Sequence, residues 1–412
     1  ANVVGRNDWS STLEQENNSL FYPGASVSFI PTSLWDSWSS DALNYLKFRF
    51  GYGSSAGFPT PYNTRNVLGL NARALVDING NVVSSNSVDN SLGNPNLKPE
   101  RVAELELGID TRLFNIWNLN VSVFDKKTTD LITNRPLDSS TGFTGTTVNI
   151  GEIQSKGIEI DTNIDILKEF ENGVGFNIAA NFTAIETTVT KLAEDTNNIL
   201  LTAGIAGEAA NYAVEGRPFG VFLGTTILLD DAGNKLVNDA GRYLVDNTIT
   251  EIGDPNPDWN TAIIPTISYK NFTLSGQFQY RHGGDIYSTT ATTLIARGVV
   301  DDDTPIQREA QYILPGIRQA DGLPNQTAIS ATQLGFNTYF ADGINTFTVY
   351  DGSTFRIQEA SLTYALPAKA LEQTFFGSLS FTLSGQNLWF KAINMPSNVN
   401  YDTNSSSTGV CN

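Results

Sequence analysis

Cysteine, methionine and histidine occur once each in the 412 residues. Cys411 alone builds no intrachain disulfide framework, and a lone His282 leaves no zinc site made of several imidazoles. A Ser-His-Asp arrangement would have to centre on His282. That residue lies in Arg281-His282-Gly283-Gly284, where a strand pattern ends, and reads as a polar side chain at a membrane interface or facing a lumen rather than as a catalyst. No apolar run approaches the ~20 residues of a membrane-spanning helix, which excludes a helical membrane protein. Lys and Arg are few and unclustered, and a formal net charge of -18 disfavours nucleic acid as a partner. A Walker-type phosphate loop is absent as well. Residues 1–10 (ANVVGRNDWS) have neither the basic start nor the apolar core of a signal peptide, so either a leader has been removed or the chain continues upstream.

Gly, Asn, Ser and Thr are abundant, and they alternate with apolar residues. In residues 271–280 (NFTLSGQFQY), Phe272, Leu274, Phe278 and Tyr280 fall on one face and Thr273, Ser275, Gln277 and Gln279 on the other. The pattern recurs. Leu46, Phe48, Phe50 and Tyr52 alternate with Lys47 and Arg49. Ala103, Leu105, Leu107 and Ile109 alternate with Glu104, Glu106 and Asp110, and Ile158, Ile160, Ile164 and Ile166 with Glu159, Asp161, Asn163 and Asp165. Each segment is roughly ten residues or longer, the length of a tilted strand that crosses a bilayer.

Periodicity alone does not distinguish a soluble sandwich from a transmembrane barrel, because both have one apolar and one polar face. Connection lengths do. Strands are predicted at 20–30, 43–54, 102–113, 117–130, 148–167, 174–190, 258–269, 272–284, 354–366 and 378–391, with a further outward strand over 1–10. The short connections 115–116, 168–173, 270–271 and 367–377 alternate with the long stretches 55–101, 131–147, 191–257 and 285–353. Tight turns at one end and long loops at the other are the rule for outer-membrane barrels. About eleven strands is an odd number, and residues 404–412 (NSSSTGVCN) read as an external loop, so at least one closing strand is expected beyond this chain.

An ordered set of motifs resembles the C-terminal barrel region of SusC-like TonB-dependent transporters, the outer-membrane nutrient importers of Bacteroidetes. Residues 5–13 (GRNDWSSTL) with 21–29 (FYPGASVSF), 46–53 (LKFRFGYG), 94–100 (NPNLKPE), 124–131 (FDKKTTDL) and 149–159 (NIGEIQSKGIE) carry the first half. Residues 215–222 (EGRPFGVF), 253–259 (GDPNPDW), 351–361 (DGSTFRIQEAS) and 384–388 (SGQNL) carry the second. These residues also have local readings. Pro95 and Pro99 lie where a strand begins, Pro255 and Pro257 end a long loop, and Gly151 and Gly157 suit a bulge or a close approach. They are architecture, not ligand contacts.

The expected fold is therefore all-β, a partial transmembrane antiparallel β-barrel. The resemblance implies that residues 1–412 are the C-terminal portion of a barrel of about 22 strands, with the plug domain outside this chain. It also implies TonB-driven import of an oligomeric glycan or peptide, a SusD-like surface lipoprotein as lid, an outer-membrane location and no enzymatic activity. Alternatives are a lid-less receptor for siderophores or cobalamin, and a soluble β-rich adhesin or binding module. No catalytic, cofactor-binding or metal-binding residue is assigned, and no substrate-binding residue is singled out. Asp301-Asp302-Asp303 lacks the Gly and distal Glu of a calcium loop and reads as a solvated acidic loop. Trp9, Trp35, Trp38, Trp117, Trp259 and Trp389 lie near predicted strand ends, where interfacial girdles place aromatic side chains.

Overall fold

The computed structural model describes the chain except residues 71–74, 84–85, 168–172, 193–195, 203–209, 300–306, 397–398, 400–401, 404–409 and 412. Eleven long strands form one sheet in strict chain order. They are β1 (Asn2–Trp9), β2 (Ser19–Phe29), β3 (Leu43–Gly57), β4 (Glu100–Leu113), β5 (Trp117–Thr129), β6 (Gly151–Leu167), β7 (Val174–Leu192), β8 (Pro257–Tyr269), β9 (Phe272–Gly283), β10 (Thr354–Ala365) and β11 (Ser380–Ala392). Every neighbouring pair is antiparallel. No helix among the described residues is long and apolar enough to cross a membrane.

Register aligns the apolar residues into rows across the sheet. Phe50, Leu107, Val123 and Ile158 are successive cross-strand partners, and so are Phe48, Ile109, Val121, Ile160 and Phe182. Large members of this face stay uncovered by protein: Leu107 is 50% exposed, Leu274 51% and Leu383 77%. Burying such a side chain is worth about 1.5–3 kcal/mol, so a continuous band left open to water would be costly, and hydrocarbon removes that cost.

Two irregularities keep this face consistent. Between β9 and β10 the register shifts where Gln277 pairs with Glu359 but Phe278 pairs with Ile357. The extra residue, Gln358, switches the parity of β10 so that Ile357 and Leu362 share the outer face. A second shift lies between β10 and β11, where Asn387 adopts φ 51° inside the Ser-Gly-Gln-Asn-Leu motif.

The short turns follow hairpin chemistry. Phe114 and Asn115 both have positive φ (53° and 56°), as a two-residue turn needs to match strand twist, and Ile116 N–H donates to Leu113 O at 3.1 Å. Lys270 does the same at φ 52° between β8 and β9. The predicted 168–173 turn falls on residues 168–172, outside the described residues.

The predicted strand 148–167 is corrected. Residues 145–149 form their own short strand, paired with Ile132–Pro136, and β6 begins only at Gly151. Gly151 separates the two because its φ of 116° excludes a side chain, and a Cβ there would lie 2.2 Å from the Lys191 carbonyl oxygen. The β6–β7 register then shifts between Glu152 and Ile153, and Gly157 accepts the Phe124 ring over its backbone. Both glycines thus do what their sequence positions suggest.

The long connections are folded rather than loose. Asn198–Thr202, Ala210–Val214, Val221–Ile227 and Val245–Gly253 make a four-stranded sheet between β7 and β8. A cluster of Ile150, Val189, Leu192, Ile199 and Ala213 seats it on the upper end of β7. Between β9 and β10 a helix, Thr289–Ala296, is capped by Ser288 Oγ, which accepts from Ala291 N–H at 3.2 Å. Val237, Tyr243, Leu314, Ile329 and Ile344 join these two connections in one small core.

Candidate functional site

The inner face of the sheet is polar and internally hydrogen-bonded. Arg49 on β3 reaches across β4 to β5: Nε donates to Asp110 Oδ1 at 2.9 Å, Nη1 to Glu106 Oε1 at 2.9 Å and Nη2 to Ser122 Oγ at 2.9 Å. Lys47 Nζ lies 3.3 Å from Asp110 Oδ2. Further along, Asn177 Nδ2 donates to Asp165 Oδ1 at 2.7 Å and to Asn163 Oδ1 at 3.0 Å. Strand alternation puts these groups on one side.

Near the long-loop rim the face opens into a cavity of about 270 Å³ lined by Asn181, Asn260, Gln277, Gln279, Arg281 and Arg356. The segment after β11 turns back into it. Met395 and Val399 pack with Ala291 and Ala392, Asp402 pairs with the buried guanidinium of Arg356, and the Thr403 and Thr354 hydroxyls bond. Arg281 Nη2 donates to Pro255 O at 3.2 Å and Nη1 to Thr403 O at 3.4 Å. Amides, guanidinia and hydroxyls of this kind hydrogen-bond to hydroxyl-rich or amide-rich ligands.

The two largest connections are tied at side-chain level. Asn345 Oδ1 accepts from Thr225 N–H at 3.0 Å, Asn345 N–H donates to Thr225 Oγ1 at 3.2 Å, and Arg242 Nη1 lies 2.9 Å from Asp342 Oδ1. At the root of the loops Asp285 Oδ2 accepts from Asp254 N–H at 2.9 Å, and Asp285 stands opposite Asp351 in a short antiparallel pair. Burial pushes the Asp285 carboxyl up from its ordinary value; the hydrogen bond from Asp254 N–H opposes this, and the charges of Asp351, Asp254 and Asp258 add to the rise. Burial opposes the charge of Asp351 too, yet hydrogen bonds from Ser353 and Asn394 hold its carboxyl below the usual value.

His282 lies on the outer face. Its ring stacks with Trp259 (5.2 Å between centroids) and Tyr280 (6.2 Å), and Trp259 also meets Phe182 at 5.8 Å. This aromatic group sits at strand ends on the loop side, as an interfacial girdle requires. Trp9, Trp35, Trp38 and Trp389 are exposed, and Trp117 Nε1 donates to Thr162 Oγ1 at 2.7 Å. Among the described residues no group of three His, Cys, Asp or Glu side chains is placed to hold a metal ion. Asp301-Asp302-Asp303 lies outside the described residues. The pairing of Asp402 with Arg356 and the tie of Thr225 to Asn345 carry no sequence signal, because each joins residues far apart along the chain.

An antiparallel meander with an apolar outer band, a polar inner face and all its large connections at one rim is a section of an outer-membrane β-barrel. The chain belongs to the TonB-dependent receptor-like β-barrel family, which it matches over residues 2–388. It is 26% identical to TonB-dependent receptor P3 of Formosa agariphila, over 93% of this chain and 39% of that protein. Receptor P26 of the same organism is 25% identical, over 94% of this chain and 39% of the relative. The RagAB peptide transporter superposes with a TM-score of 0.72 at 16% identity, covering 99% of this chain and 43% of that one. The RagAB peptide importer in its closed-closed state gives 0.73 at 17%, covering 96% and 42%. At those identities the likeness is one of fold. The chain thus spans about two fifths of the length of the curated relatives that match it throughout. The protein crosses the outer membrane with strands, and the soluble-module alternative falls.

Proposed function

We propose that residues 1–412 supply the later wall and the outer loop layer of a TonB-dependent importer for oligomeric glycans or peptides, with a SusD-like surface lipoprotein as its lid. The observation that carries this reading is the folded loop layer above a polar inner wall. The Thr225–Asn345 tie and the Val237, Tyr243, Leu314, Ile329 and Ile344 core make the large connections one preformed platform, as docking of a partner protein favours. The plug and the TonB-contacting segment belong to the remainder of the receptor, and the wall residues lining the cavity at Arg281 and Arg356 face the passage.

The test is gentle solubilisation of the full receptor from its native membrane, followed by co-purification and uptake assays. A surface lipoprotein should accompany the receptor at near-equal amounts, and uptake of an oligomer should cease when the proton-motive force is collapsed. A receptor that purifies alone and takes up a metal chelate would replace this reading with the lid-less one.

A further inference from the structure

A cavity of about 640 Å³ opens in the loop layer between the end of the Thr289–Ala296 helix and residues 331–336. Arg297, Arg308, Thr293 and Thr332 contribute its polar lining, and Ala296, Val299, Ala331 and Phe336 its apolar lining. Most arginines of this acidic chain are paired: Arg6, Arg49, Arg65, Arg217, Arg242, Arg318 and Arg356 each contact a carboxylate. Arg297 and Arg308 are exposed and have no carboxylate contact among the described residues. The C-terminal end of the helix accounts for a positive charge at Arg297 but not for a second one at Arg308 in the same cavity. Two guanidinium side chains lining one cleft can receive a carboxylate, which each can bind through two parallel hydrogen bonds.

We propose that this cavity captures the C-terminal carboxylate of a peptide, with the side chain of the terminal residue against Phe336 and Val299. This rests on the importer reading above. A peptide end is favoured over an acidic sugar because a pyranose presents hydroxyls all round its ring, and among the described lining residues Thr293 and Thr332 alone offer side-chain hydrogen bonds besides the two arginines. Against the -18 net charge of the chain, two guanidinium groups without a carboxylate contact among the described residues make this cleft a local positive site for an anionic ligand end.

The experiment uses the full-length receptor in detergent, a fluorescent peptide ending in an apolar residue with a free carboxylate, the same peptide as its C-terminal amide, and a uronic acid trisaccharide. The acid should bind at least about tenfold more tightly than the amide, which corresponds to roughly 1.4 kcal/mol. R297Q and R308Q should each abolish that preference while leaving amide binding unchanged. Higher salt should weaken the acid more than the amide. Equal affinity for acid and amide, insensitivity to both arginine variants, or tighter binding of the trisaccharide would each overturn the proposal. Failure of the importer reading would look different, namely no oligomer taken up by cells whose receptor is intact.

Discussion

Asn345 and Thr225 hold the two largest connections of the barrel in a reciprocal clamp, each residue both donating to and accepting from the other. Thr225 Oγ1 further donates to the Gly343 carbonyl. The clamp turns two loops into one layer, and it contains no charge, so salt does not weaken it.

N345A is expected to cost about 1–3 kcal/mol, because the Thr225 N–H loses its acceptor in a half-buried position. Amide hydrogen exchange on the full receptor reads this locally. Protection should fall across residues 221–227 and 345–351 while β7 stays unchanged. A uniform loss over the sheet would show that the clamp does not act on the loop layer alone.

Arg356 is the buried partner of an ion pair whose acid, Asp402, is more exposed, with side-chain exposures of 8% and 39%. Removing the acid strands a buried cation, and removing both does not. D402A should therefore speed proteolysis within residues 393–403 more than the double variant R356M/D402A does. Solvent at Asp402 limits the effect to roughly 1–3 kcal/mol. Equal sensitivity of the single and double variants would mean that the segment is held by Met395 and Val399 instead.

Asp285 faces Asp351, Asp254 and Asp258 at the root of the loops, with His282 close to Asp351. Its carboxyl is raised in the folded state. Such a group contributes stability below its ordinary value, and that contribution is lost as pH rises through the raised one. Exchange protection of residues 285–288 should then decline on raising pH through and above the ordinary carboxylate range, after correction for intrinsic exchange. D285N should flatten the dependence. Glu14 behaves oppositely: hydrogen bonding from Arg65 holds its carboxyl at about 2, so the link between the β1–β2 connection and residues 58–99 should persist until pH falls toward that value. R65Q should release it at milder acidity.

Gly151 and Gly157 should fail differently when replaced by alanine. At Gly151 the positive φ and the Lys191 carbonyl leave no space, and G151A should cost about 1–3 kcal/mol whatever surrounds it. At Gly157 the nearest obstacle is the Phe124 ring, 2.5 Å from where a Cβ would stand, with the Ala184 carbonyl oxygen at 3.0 Å. G157A should therefore be milder in an F124L background than in the native one. Thermal unfolding of the purified variants checks the coupling, and additive effects would show that the ring is not the obstacle.

How much of this is legible in the chain follows from the range of each interaction. All eleven wall strands are readable, because the side-chain period of two and the hairpin turns are local properties. The start of β6 is not, since a left-handed Gly151 splits one apolar run into two strands that pair with different partners. The motif at 281–284 reads as interface or lumen, whereas the alternation of Phe272 to Tyr280, carried two residues on, puts His282 on the apolar face. Its place in the Trp259 and Tyr280 stack depends on the register of β8 against β9, which alternation does not encode.

The sequence by itself determined a two-faced meander, the sidedness of its connections and its family, because alternation, turn residues and ordered motifs are written in consecutive positions. Only the tertiary structure decided that the long connections fold into a common layer, that Asp402 returns to Arg356, and that Arg297 and Arg308 share one cleft. Those contacts join residues far apart along the chain. Nothing in local spacing specifies which distant loop a side chain will meet; packing of the whole layer does.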